Sequence, residues 1–150
     1  MKTNEKRETL ERQRAAFAYE RVSGWEKSVW GSRALALVKG LPVAMRTQGL
    51  SVTLATLMGK EGIEYRELAS LLADWVMESA PVKPLGDLEA NSNDAVRRFL
   101  KAAVSADRRT YLAAQSEALA MLEMVKVMAQ AIFKAPVQPV STLEEKTDAP

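Results

Sequence analysis

The sequence predicts an all-α, single-domain bundle of about six helices with a long central C-terminal helix. Three observations carry that expectation. Across residues 1–134 glycine and proline are scarce, apolar residues recur at three- and four-residue steps, and no alternating strand pattern of useful length appears. At 150 residues the chain is long enough for one core that buries roughly 65–70% of the unfolded surface. An apolar fraction of 47% with 27% charged residues is that of a globular protein.

The first helix is expected from about Glu5, on a stripe of Leu10, Phe17, Ala18, Val22, Trp25 and Val29, running past Gly24 towards Trp30. Ser32 is a cap for the second, whose apolar set is Ala34, Leu35, Leu37 and Val38. Gly40-Leu41-Pro42 is expected to interrupt or restart it, because proline lacks the backbone donor and disfavours helical torsions in the residue before it. Gly49 suits a left-handed helix end, after which Ser51 or Thr53 opens a short helix over Leu50 to Met58. From Glu64 to about Ser79, Leu68, Leu71, Leu72, Trp75 and Val76 make an amphipathic helix. Pro81, Pro84 and Gly86 then mark a loop, and Asn91 to Val104 is a fifth helix with Val96, Phe99, Leu100, Ala103 and Val104 facing inward. The last helix, Asp107 to Lys134, keeps Tyr111, Ala118, Val125 and Ile132 in one row and Ala114, Met121 and Met128 in a parallel one, as a central helix would. Domain limits follow: residues 1–134 are the helical domain, and 135–150, with three prolines and an acidic run, a disordered tail.

The absence of cysteine and histidine excludes disulfides, Cys/His zinc sites, thiol nucleophiles and imidazole chemistry. No cofactor is expected. No window approaches 18 uninterrupted apolar residues and Met1 to Glu20 is too charged for a signal peptide, so a cytoplasmic location is expected. Net charge is only +2, but residues 1–60 hold 11 Lys/Arg against 5 Asp/Glu, 61–96 hold 2 against 8, 97–134 hold 7 against 3, and the tail holds 1 against 3. Such segregation suits a polyanion surface on one part and subunit pairing on another; ordinary solvated helix faces would look the same.

Candidate phosphate contacts are the clustered cations. Arg97 and Lys101 share a helix face with Arg98 beside it, Arg108 and Arg109 open the last helix against its dipole, and Lys39 and Arg46 flank the proline corner, where a kink can present both to one strand. A solubility patch, or pairing of the last helix's arginines with Asp107 and Asp94, is the bland alternative. Phe17, Trp25, Trp75, Phe99 and Tyr111 fall on apolar stripes and read as core rather than base-stacking platforms; Trp30 and Tyr65 fit less well and are the surface candidates. Glu61, Glu64, Glu67, Asp74 and Glu78 read as a solvated acidic face rather than a metal site, with Glu64 and Glu67 as candidate contacts to the basic face of a neighbouring copy.

The segments Leu41-Pro42, Arg46-Thr47-Gln48-Gly49-Leu50 with Leu54, Leu57 and Lys60 after it, and Tyr111 followed by Glu117-Ala118-Leu119-Ala120-Met121-Leu122, in this order within one small helical chain, resemble the small-subunit family of the Cmr (type III-B) CRISPR RNA-targeting effector complex. The resemblance covers about residues 8–134 and departs from the family pattern at Met124, where tryptophan is usual, and at Val127, where a basic residue is usual. It implies a non-catalytic subunit that stacks with further copies of itself in a short filament, meets other effector subunits, and lines the path of guide and target RNA. It also favours a structural or subunit-contact role for Glu117. The rival reading from the residues alone is a helical protein–protein adapter without nucleic-acid contact.

Overall fold

The computed structural model describes residues 9–79 and 95–134, and all regular structure among them is helical. Six α-helices follow in order: α1 Leu10–Trp25, α2 Gly31–Gln48, α3 Leu50–Gly59, α4 Ile63–Ala73, α5 Ala95–Ser105 and α6 Arg108–Lys134. A π-helical segment, Asp74–Ser79, continues α4. The expected start at Glu5, the loop prolines, the Asn91 cap and the tail beyond Lys134 lie outside the described residues.

The central element is α6, which packs against α1 and α2 along its length and also meets α4, α5 and the π segment. Ala114, Ala118, Met121, Leu122, Val125 and Ala129 are buried on its inner side. The alanines are what let several helices approach one helix closely. Facing them are Ala18, Val22 and Trp25 of α1 and Ala34, Val38, Leu41 and Met45 of α2, with Leu68, Leu71, Leu72 and Phe99 completing the core.

Four features differ from the sequence expectation. Thr9 caps α1, its hydroxyl accepting from the Arg12 amide at 3.2 Å. The helix then ends at Trp25, because the amide and hydroxyl of Ser28 both donate to the Trp25 carbonyl (2.9 and 2.8 Å) and close the turn. Val29 is therefore solvent-facing, at 89% exposure, rather than part of the stripe.

The second difference is Pro42, which sits inside one continuous 18-residue helix and does not end it. Its missing donor and ring cost an interior helix about 3 kcal/mol. The stripe Ala34, Val38, Leu41, Pro42 and Met45 is buried, and tertiary packing overrides the local penalty. Third, Ser32 is not the cap of α2: Trp30 holds that position without a side-chain bond. Fourth, the helix from Ile63 widens at Asp74, where the π turn lets three consecutive residues, Trp75, Val76 and Met77, all face inward. Val104, expected inside, is 62% exposed. Trp30 and Tyr65, expected outside, pack partly buried against the core.

Gly49 ends α2 with φ +90° and ψ 168°, a conformation open to glycine alone, its amide donating to the Met45 carbonyl at 2.8 Å. The chain turns there directly into α3.

Candidate nucleic-acid interface

The candidate cations fall into two groups on the outside of the bundle. Arg97 and Lys101 are exposed one turn apart on α5, and Arg108 and Arg109 are exposed in the first turn of α6, across the short Ala106–Asp107 link. Asp107 caps α6, accepting from the Thr110 amide at 2.8 Å, and that bond holds its carboxyl below the usual carboxylate range. The capping carboxylate offsets the unfavourable meeting of Arg108 and Arg109 with the positive helix end, so the helix tolerates cations there. Lys101 and Arg108 make no ion pair among the described residues. Arg98, beside them in sequence, is different: only 17% of its side chain is exposed, and it donates to Glu78 of the π segment at 2.9 Å.

Lys39 and Arg46 are both exposed on α2. The helix is continuous, so the two stand two turns apart on one face, about 10 Å along the axis, on either side of Pro42. Arg46 also bridges to Glu123 of α6.

The carboxylates proposed from the sequence as subunit contacts are engaged within the chain. Glu117 is 8% exposed; Arg14 reaches it from α1 with two parallel bonds of 2.8 Å, and the Trp75 indole donates at 2.7 Å. The Arg14 bonds hold the Glu117 carboxyl below its ordinary range against the opposing effect of burial. Glu67 accepts from Arg21 at 3.2 Å and from the Trp25 indole at 3.1 Å, while Arg21 also donates to Asp74 at 2.9 Å. Glu64, likewise 8% exposed, pairs with Arg33 at 3.3 Å. Each joins helices distant in sequence, which is a role in the fold. Among the described residues no group of His, Cys, Asp and Glu could hold a metal ion, and no helix is long and apolar enough to cross a membrane.

Around this frame, the family model of a CRISPR-associated protein (Cas_Cmr5) matches residues 10–132. The chain belongs to the Cmr5 family. An X-ray crystal structure of a CRISPR-associated Cmr5 family protein from Thermus thermophilus matches it with a TM-score of 0.69 and 26% sequence identity, over 85% of this chain and 100% of that one. No curated protein matches it in sequence. Membership makes the chain a small subunit of the type III-B Cmr complex of CRISPR defence.

Several motif residues of this Cmr5 chain meet at one place. At the start of α3 the Leu50 amide donates to Gln115 Oε1 at 2.8 Å and the Ser51 amide to the Tyr111 hydroxyl at 3.0 Å. Side chains of the central helix thus cap α3, and Ser51 and Thr53, expected as its caps, do not. A β-carbon on Gly49 would stand 3.2 Å from the same hydroxyl. Tyr111→Phe is expected to leave the Ser51 amide unsatisfied and to lower stability by about 1 kcal/mol; a urea midpoint that falls with an unchanged m-value would show it.

Sequence reasoning missed Arg14 and Arg21. Their signal was available: they stand seven apart on α1 beside Phe17, Ala18 and Val22, at the edge of the apolar stripe where a cation needs an acidic partner. At the two positions that depart from the family pattern, Met124 is partly buried against the core and Val127 is 58% exposed, so the outer side of α6 carries an apolar group there.

Proposed function

We propose that this Cmr5 chain is a non-catalytic, cytoplasmic subunit that holds the RNA backbone of guide and target through Lys39, Arg97, Lys101, Arg108 and Arg109 and stacks with further copies of itself. The observation that carries the reading is the corner between α5 and α6, where four exposed cations occur within 13 residues of a chain belonging to a CRISPR family. The engagement of Trp25, Trp75, Phe99 and Tyr111 with the interior supports backbone contact over base stacking. Arg46 and Arg98 join that surface by exchanging their intrachain partners, Glu123 and Glu78, for phosphate. Glu64, Glu67 and Glu117 are engaged in intrachain pairs, so a contact of theirs with a neighbouring copy would be made through the arginines they hold.

Substituting Arg97, Lys101, Arg108 and Arg109 together by glutamine tests this. Every phosphate that the variant no longer neutralises should reduce the salt slope of single-stranded RNA binding by about 0.7, so the slope should fall by up to about 3 while the unfolding midpoint holds. RNA retention by the assembled complex should fall with it. Retention and slope unaltered in the variant would favour a protein–protein adapter.

A further inference from the structure

Between α2, α3 and α4 lies a half-open groove of about 210 Å³. Leu37, Leu41 and Leu57 form its apolar floor, and Gln48, Lys60 and Tyr65 stand among its polar rim. Among the described residues its lining contains no carboxylate. The Lys60 ammonium lies 6.0 Å from the Tyr65 ring centroid and makes no ion pair among the described residues. The groove therefore suits an aliphatic side chain with an acidic group next to it in sequence.

We propose that the occupant is the chain's own C-terminal segment, with Leu143 seated on the leucine floor and Glu144 or Glu145 beside Lys60. Residues 135–150 carry three acidic residues against one lysine, and Leu143-Glu144-Glu145 is the one place there where a large aliphatic residue adjoins carboxylates. The segment lies beyond the family match, which ends at Ile132. Its starting point is favourable. A β-carbon on Gly31 would lie 3.2 Å from Phe133, which puts the end of α6 beside the start of α2, and Leu37 is only about 9 Å further along that helix. The nine residues from Lys134 to Leu143 can span about 30 Å. Tethering at that range supplies an effective concentration on the order of millimolar, enough for a weak contact to be populated.

The absence of cysteine allows a clean test in the full chain. With a nitroxide attached through Thr147→Cys, amide signals of Leu37, Thr56, Leu57 and Tyr65 should broaden, and dilution should not change the effect. Lys60→Glu should lower the bound fraction about threefold, the weight of one exposed ion pair. Adding Glu145→Lys to Lys60→Glu should recover it. The proposal is overturned by broadening centred on the cations of α5 and α6, or by none above a freely diffusing nitroxide control. It is equally overturned if broadening appears only when labelled and isotope-enriched copies are mixed, which would assign the groove to a neighbour's segment. A photo-crosslinker at Leu143 gives a second readout: links to α2 and α3 support the contact, and links confined to residues 80–94 overturn it.

Discussion

Glu117→Ala is expected to destabilise the protein by about 3 kcal/mol, a fall in melting temperature on the order of 10 °C. The substitution leaves the Arg14 guanidinium without its acceptor and the buried Trp75 indole without its own. The lower end of the range for a broken buried pair applies because Arg14 keeps 21% of its side chain exposed. Glu117→Gln retains an acceptor for the indole but not the charge, and should lose about half as much. Replacing both partners, Arg14→Met with Glu117→Leu, should cost less than the two single losses added, since neither partner is then left charged and alone.

The same pair has a pH signature. The folded-state pKa of Glu117 is depressed by the Arg14 bonds, so its contribution is complete above the unfolded value of about 4.3 and is lost as pH falls through the folded value. Unfolding midpoints measured from pH 6 downward should fall more steeply for the parent chain than for Glu117→Gln. Parallel curves would mean that the carboxylate is not selectively stabilised in the fold.

Gly31→Ala is the second large effect, expected at about 3 kcal/mol. An added β-carbon would lie 2.2 Å from the Trp25 carbonyl oxygen and 3.1 Å from its carbon. Both are backbone atoms, so no rotamer change relieves the overlap and the corner between α1 and α2 must open. Gly24 and Gly40 provide the control: they are helical, and a β-carbon at either meets nothing within 4 Å. Alanine there should stabilise by up to about 1 kcal/mol. Chemical unfolding of the three variants side by side would show the opposite signs; equal effects would mean that the close approach at Gly31 is not a constraint.

Much of the fold was legible because apolar periodicity reports burial directly. The parallel rows Tyr111, Ala118, Val125, Ile132 and Ala114, Met121, Met128 identified the central helix, all of them buried or partly buried against the core, and Leu68, Leu71 and Leu72 identified α4. Pro42 misled because its local penalty is visible in the sequence while the packing that outweighs it is not. The end of α1 at Trp25 depends on Ser28 bonding back to the carbonyl and on Gly31 lying against it, contacts that helical periodicity does not encode. Of the site, exposure of Lys39, Lys101, Arg108 and Arg109 agrees with their places off the stripes. The carboxylates were harder. Glu117 stands three residues after Ala114 and four before Met121, and Glu64 four before Leu68, so spacing puts both on buried faces, but only the approach of α1 and α2 supplies the arginines that neutralise them.

The pairing of α1 with α6 also sets a timetable for synthesis. Arg14 and Glu117 are separated by 103 residues, and at about 5–20 residues per second the second is made roughly 5–20 s after the first. Throughout that interval Ala18, Val22 and Trp25 lack the helix they bury against. The nascent chain therefore cannot complete its core from the N-terminal end inward, and a copy interrupted before α6 leaves the ribosome as a target for chaperones and proteases.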